Sequence, residues 1–64
     1  MSEMSKRLRE IREYENLAPV VVEERTGISS ARLLEFENGT EIPAKEDLTL
    51  LGECYGVRTS YLWQ

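Results

Sequence analysis

Apolar side chains recur at helical spacing in the first quarter of the chain. Leu8 and Ile11 are three positions apart, and Met4 precedes Leu8 by four. A single apolar stripe on an otherwise charged segment is typical of an amphipathic helix with one buried face. Asn16 follows, a residue that tolerates the left-handed conformation in which helices often end. The pattern predicts a first helix over residues 4–15.

Turn-forming residues divide the middle of the chain into two further helices. Pro19 favours the first position of a helix, because its missing N–H would have no partner there in any case. Gly27 ends this second helix, and Ser29 is a good N-cap for a third helix over residues 30–38. Gly39 then completes an Asn-Gly dipeptide, which ends the third helix.

The last third of the chain predicts two more helices. Leu48, Leu51 and Tyr55 follow one another at spacings of three and four, which indicates a helix over residues 45–55. A glycine stops it, and a short last helix follows over about 59–63. We therefore expect an all-α fold, a compact arrangement of five helices that forms a single domain over residues 1–64.

Composition adds mainly exclusions. The chain has no histidine and one cysteine, so a Cys/His zinc site, an internal disulfide and a histidine-based catalytic site are excluded. Nothing suggests a catalytic site, and we expect neither an enzyme nor a metal or cofactor. No apolar run is long enough to span a membrane, so the expected location is the cytoplasm, without a membrane partner.

Charge is distributed unevenly. There are 8 basic and 12 acidic residues, which give a net charge of −4 and a pI near 4.7. Four of the basic residues lie within positions 1–12, whereas the segment 19–41 has two basic and five acidic residues. The basic cluster is either a solvated helix face or a local patch that can meet phosphates.

The second and third predicted helices have the spacing of a helix–turn–helix unit. Such a unit needs an apolar residue in its first helix, a glycine in the turn and apolar residues on the inner face of its second helix. Val22, Gly27, Leu33 and Phe36 meet these needs at compatible intervals. We expect the unit to cover about residues 19–38.

Several short segments in a fixed order carry a family resemblance. They are Leu8-Arg9-Glu10-Ile11-Arg12, Leu17-Ala18, Gly27-Ile28-Ser29, Phe36-Glu37-Asn38-Gly39, Pro43, Tyr55-Gly56-Val57 and Tyr61-Leu62. With them, the chain resembles the XRE-type helix–turn–helix family of phage repressors and Cro proteins. The resemblance implies a prokaryotic or phage-encoded transcription regulator that binds double-stranded DNA, as a homodimer on a two-fold operator.

The resemblance also implies which residues meet DNA. The start and outer face of the third helix would enter the major groove, while the loop after it and nearby cations would contact phosphates. The groove-facing residues would be Ser29, Ser30, Ala31, Arg32 and Glu35, and the others would be Asn38, Thr40, Arg7, Arg9 and Lys45. A structural ion pair between Arg12 and Glu37 is implied as well, because family members often join these two positions.

Some positions differ from the family pattern and favour a second hypothesis. Pro19 stands where glutamine is usual, Val20 and Val21 stand where the family is polar, and Glu23 replaces a small residue at the helix crossing. A carboxylate at Glu23 must turn outward or find a partner. The alternative function is an acidic protein-interaction module of the anti-repressor or DNA-mimic type, which does not itself bind DNA.

The aromatic end of the chain has two interpretations. We expect Tyr61, Leu62 and Trp63 to close the core, while the other interpretation is a dimer surface on the last helix. With Val20 and Val21, the residues Tyr61 and Trp63 are thus the candidate surface for a protein partner.

Overall fold

The computed structural model describes residues 3–63, which form five α-helices and no strand. The predicted all-α, five-helix fold is confirmed, with helix ends within one residue of those expected. No helix in this range is both long and apolar enough to cross a membrane. The helices are α1 (Glu3–Tyr14), α2 (Pro19–Thr26), α3 (Ser30–Asn38), α4 (Lys45–Tyr55) and α5 (Thr59–Leu62).

The ends of α1 and α2 follow from the residues that the sequence places there. Asn16 has a φ of 57° and Gly27 has a φ of 80°, so each lies in the left-handed region. Glycine reaches that region without a steric penalty, and asparagine tolerates it better than most residues. The Gly27 amide donates to the carbonyl of Glu23, which closes α2 and turns the chain toward α3.

The core is built from every helix. α3 packs on α1 and α2, while α4 packs on α2 and α5, and α5 also contacts α1. This arrangement clamps the inner face of α3 between two helices and leaves its outer face toward solvent. The buried apolar residues are Leu8, Val22, Ile28, Leu33, Phe36, Leu48, Leu51, Tyr55 and Leu62.

One expectation about the aromatic end is wrong. Leu62 closes the core with 0% exposure, but Tyr61 is 48% exposed and Trp63 is 57% exposed. α5 has a single turn, and successive helical residues point about 100° apart. Only one of three consecutive side chains can therefore face the core, and the smallest of the three does so.

Candidate nucleic-acid interface

The corner between α2 and α3 is held by hydrogen bonds from side chains to the backbone. The Thr26 hydroxyl donates to the carbonyl of Val22 at 2.7 Å and accepts from the amide of Ile28 at 3.1 Å. Ser29 caps α3, because its hydroxyl accepts from the amide of Arg32 at 3.2 Å. The corner thus fixes where the start of α3 lies relative to α2.

The outer face and the start of α3 carry the residues that the resemblance assigns to the major groove. Ala31, Arg32 and Glu35 are exposed, and Ser29 and Ser30 are half-buried at the start of the helix. The structure therefore brings these five residues together on one solvent-facing surface, which we call the reading face. The major groove of B-form DNA is wide enough to admit an exposed α-helix.

Glu23 is attached to the start of the reading face. Its Oε1 atom accepts a hydrogen bond from the Ser30 hydroxyl at 2.8 Å and another from the Ser30 amide at 3.0 Å. These bonds from the Ser30 side chain and backbone lower the pKa of the Glu23 carboxyl. The carboxylate that replaces a small residue at the helix crossing has thus turned outward and found a partner on α3.

Arg32 is held by acidic side chains from outside α3. Its Nε and Nη2 atoms donate to Oε2 of Glu41 at 3.1 and 3.0 Å, and Nη2 also donates to Oδ2 of Asp47 at 3.1 Å. The pKa of Arg32 is raised, with the hydrogen bond to Glu41 as the largest cause. The one basic residue of α3 therefore has two carboxylate partners within the chain.

The two arginines of α1 assigned to DNA lie in different places. Arg9 donates from Nη2 to Oδ1 of Asn38 at 2.7 Å, which puts it beside the last residue of α3. Arg7 donates to the carbonyl of Tyr61 at 3.2 Å, and its guanidinium lies 5.2 Å from the centre of that ring. Arg9 and Asn38 thus form one cluster, whereas Arg7 is placed against α5.

The loop after α3 completes the surface. The Thr40 amide and hydroxyl both donate to the carbonyl of Glu35, at 3.0 and 3.3 Å. Lys45 is exposed at the first residue of α4, the helix whose Asp47 reaches Arg32. The loop and the start of α4 therefore border the reading face.

Arg12 and Glu37 form a two-bonded ion pair beneath this surface. The Arg12 Nε and Nη2 atoms donate to the two carboxylate oxygens of Glu37 at 2.7 and 3.0 Å, and Nη1 donates to the carbonyl of Leu17 at 3.0 Å. Glu37 has no solvent exposure, and its hydrogen bond is the largest cause that raises the pKa of Arg12. The pair joins α1 to α3 and gives the buried Glu37 carboxylate a cationic partner.

The candidate partner-surface residues lie in two separate parts of the chain. Val20 is 56% exposed on α2 and Val21 is half-buried beside it. Tyr61 and Trp63, at the end of the chain, border two separate shallow grooves, one lined also by Tyr14 and the other by Leu48. The structure places the four residues on α2, on α5 and directly after it.

Sequence reasoning did not assign three acidic residues to the site. Glu23 binds Ser30, and Glu41 and Asp47 bind Arg32. Each of these acids is distant in sequence from the residue it binds. A signal existed for Asp47, because an acid in the first turn of a helix often binds the backbone before it. Its Oδ2 atom indeed accepts from the Ala44 amide at 2.9 Å.

A comparison with protein-family models matches residues 3–60 to a model described as a helix-turn-helix domain. The match covers all of α1 to α4 and the start of α5. Comparison with curated proteins gives no match.

Proposed function

Because the chain belongs to the Cro/C1/XRE-like helix–turn–helix family, we propose that it is a small DNA-binding transcription regulator that binds a two-fold operator as a homodimer. The observation that carries the proposal is the corner of α2 and α3. In this proposal it forms the helix–turn–helix unit, residues 19–38, whose inner face holds Leu33 and Phe36 in the core. A dimer follows because one module of this size buries too little DNA surface to be selective alone.

In the proposed complex, α3 lies in the major groove. Ser30, Ala31 and Glu35 would meet base edges, as a hydroxyl, a methyl group and a carboxylate can. Contacts to the phosphates would come from the borders of the reading face, and they set position rather than sequence preference. These bordering residues are Arg9, Asn38, Thr40 and Lys45, with Arg32 once it leaves its acidic partners.

Selection from random duplex DNA tests the proposal. The purified protein is mixed with random duplexes at low and moderate salt, and the bound fraction is sequenced. We expect enrichment of a two-fold motif, with weaker binding at the higher salt because counterions compete for the phosphates. No binding even at low salt would overturn the regulator proposal.

Matched variants assign the binding to the reading face. Arg32→Ala removes the only basic residue of α3, while Arg58→Ala removes an exposed basic residue at the N-cap of α5. Both lose one positive charge. We expect Arg32→Ala to weaken binding to the selected motif about tenfold more than Arg58→Ala does. Equal effects would show that charge alone, and not α3, determines binding.

The acidic protein-interaction module remains the second candidate. It is favoured by the pairing of Arg32 with Glu41 and Asp47, which offsets the one positive charge of the reading face. Val20, 56% exposed on α2, would then anchor a protein partner. In this case DNA selection fails, and a double substitution Val20→Glu/Val21→Glu abolishes capture of a partner that the wild-type chain retains.

A further inference from the structure

The hydroxyl proton of Ser30 is committed within the chain. The Ser30 Oγ atom lies 2.8 Å from Oε1 of Glu23, and the Ser30 amide donates to the same oxygen at 3.0 Å. An ionised carboxylate can only accept hydrogen bonds, so the hydroxyl must be the donor in this contact. The remaining hydrogen-bonding capacity of Ser30 toward solvent consists of lone pairs.

A serine hydroxyl that can accept but not donate a hydrogen bond distinguishes among the bases. An unconstrained hydroxyl can donate or accept, and it therefore bonds any base edge in the major groove. Once its proton is held, the base must supply the donor. In the major groove, the only base donors are the amino groups of adenine at N6 and cytosine at N4, because guanine and thymine present carbonyl acceptors.

We propose that Glu23, by binding the hydroxyl proton of Ser30, leaves Ser30 able only to accept a hydrogen bond from a base. The bound operator then carries adenine or cytosine on the strand facing Ser30, an inference that rests on the proposed function. Glu23 is thus a positioning residue and Ser30 the specificity-determining one. The same polarity extends along α3. The exposed Glu35 carboxylate can only accept, and Ala31 has no polar side-chain atom.

The geometry holds this polarity in the protein without DNA. Glu23 lies in α2 and Ser30 is the first residue of α3, so the bond spans the corner. The two bonds from Ser30 lower the pKa of Glu23 and keep it ionised at neutral pH. The Nε and Nη2 donors of Arg32, the one basic residue of α3, are directed to Glu41 and Asp47 rather than to solvent.

Selection and sequencing with three variants tests the inference. Glu23→Ala releases the Ser30 hydroxyl, Glu23→Gln keeps an acceptor oxygen without the charge, and Ser30→Ala removes the reader while leaving Glu23. For the wild type we expect about a fivefold preference for adenine or cytosine over guanine or thymine at one position of each half-site, the effect of one hydrogen bond. Circular dichroism of each variant checks that its helical content equals that of the wild type.

The variants separate hydrogen-bond polarity from charge. Glu23→Ala and Ser30→Ala should lose the preference at that single position and keep the rest of the motif. Glu23→Gln should keep the preference, because its amide oxygen can still accept from Ser30. An enriched motif without this preference in the wild type, or with the preference intact in Glu23→Ala, overturns the inference alone. If no protein enriches any motif, the proposed function fails and the inference fails with it.

Discussion

Glu37 has no solvent exposure and gives both carboxylate oxygens to Arg12. An ion pair in such a place is stabilising only while both partners are present, because removal of one leaves a buried charge without compensation. Arg12 also donates to the carbonyl of Leu17, so it ties the segment after α1 to α3. These two side chains therefore contribute to the stability of the whole fold, and not only to the surface near α3.

Single substitutions in this pair should be severe. We expect Arg12→Met and Glu37→Met each to lower the free energy of unfolding by about 3–5 kcal/mol. For a domain of this size that lowers the melting temperature by more than about 10 °C. The double substitution should lose less than the two single losses combined, because two apolar side chains replace two charges.

Thermal denaturation followed by circular dichroism measures these effects. Lys6→Met, which removes an exposed cation from α1, is the matched control and should change the melting temperature little. If the single variants Arg12→Met and Glu37→Met had the same melting temperature as the control, that result would contradict the structural role of the pair.

The residue scale also shows what a sequence can and cannot supply. The Arg12–Glu37 contact was expected because a family resemblance relates two fixed positions. The Glu23–Ser30 and Arg32–Glu41 contacts were not, because each depends on a rotamer and crosses a turn whose angle is set by core packing.

At the scale of the helices, prediction succeeded where a local residue decides the conformation. The missing N–H of Pro19, the hydroxyl of Ser29 and the φ of 80° at Gly27 each act within a few residues, and the helix ends follow from them. It failed for Tyr61 and Trp63, because a one-turn helix has too little periodicity to indicate its buried face.

The bond from Glu23 to the start of α3 predicts a pH dependence. Because the pKa of Glu23 is lower in the folded chain than in the unfolded one, its contribution to stability is present at neutral pH. It is lost as the pH falls below about 4 and through the lowered pKa. The wild type should therefore melt at a higher temperature than Glu23→Gln at pH 7, and the two melting temperatures should converge as the pH falls through the lowered pKa of Glu23.

A neighbouring acid provides the control for this titration. Glu24 is exposed and follows Glu23 in α2, so Glu24→Gln makes the same change of charge without the bond to Ser30. The difference in melting temperature between Glu24→Gln and the wild type should change less over the same pH range than the difference for Glu23→Gln. A constant difference between the wild type and Glu23→Gln would show that the carboxylate does not stabilise α3.

For the molecule as a whole, ion pairs within the chain, more than the net charge of −4, decide which basic side chains are available to DNA. Arg12 forms an ion pair with Glu37 beneath the surface, and Arg32 forms ion pairs with Glu41 and Asp47 at the reading face. In the proposed complex, Arg32 would exchange its carboxylate partners for phosphate or base. We therefore expect a single substitution at one of these carboxylates to change the affinity for DNA.

Glu41→Gln should strengthen DNA binding. It removes one acidic partner of Arg32, so the guanidinium is more available and the reading face less negative. We expect several-fold tighter binding to the selected motif at low salt. The gain should be smaller at high salt, because salt already screens the electrostatic effect of the Glu41 carboxylate in the wild type.

Fluorescence anisotropy at two salt concentrations measures this gain. Glu53→Gln changes the net charge equally from an exposed position in the second half of α4, and should give a smaller gain. An identical gain from both variants would mean that the charge of the whole molecule, and not the availability of Arg32, limits binding.

The acidic partners of Arg32 also bear on competition within a cell. A chromosome offers about 10⁶ or more non-specific sites, and a regulator with unpaired cations is largely sequestered by them. Because Arg32 already has carboxylate partners, random DNA gains little from this side chain. For the proposed regulator, we therefore expect fewer copies to be titrated by the bulk of the genome than if Arg32 were unpaired.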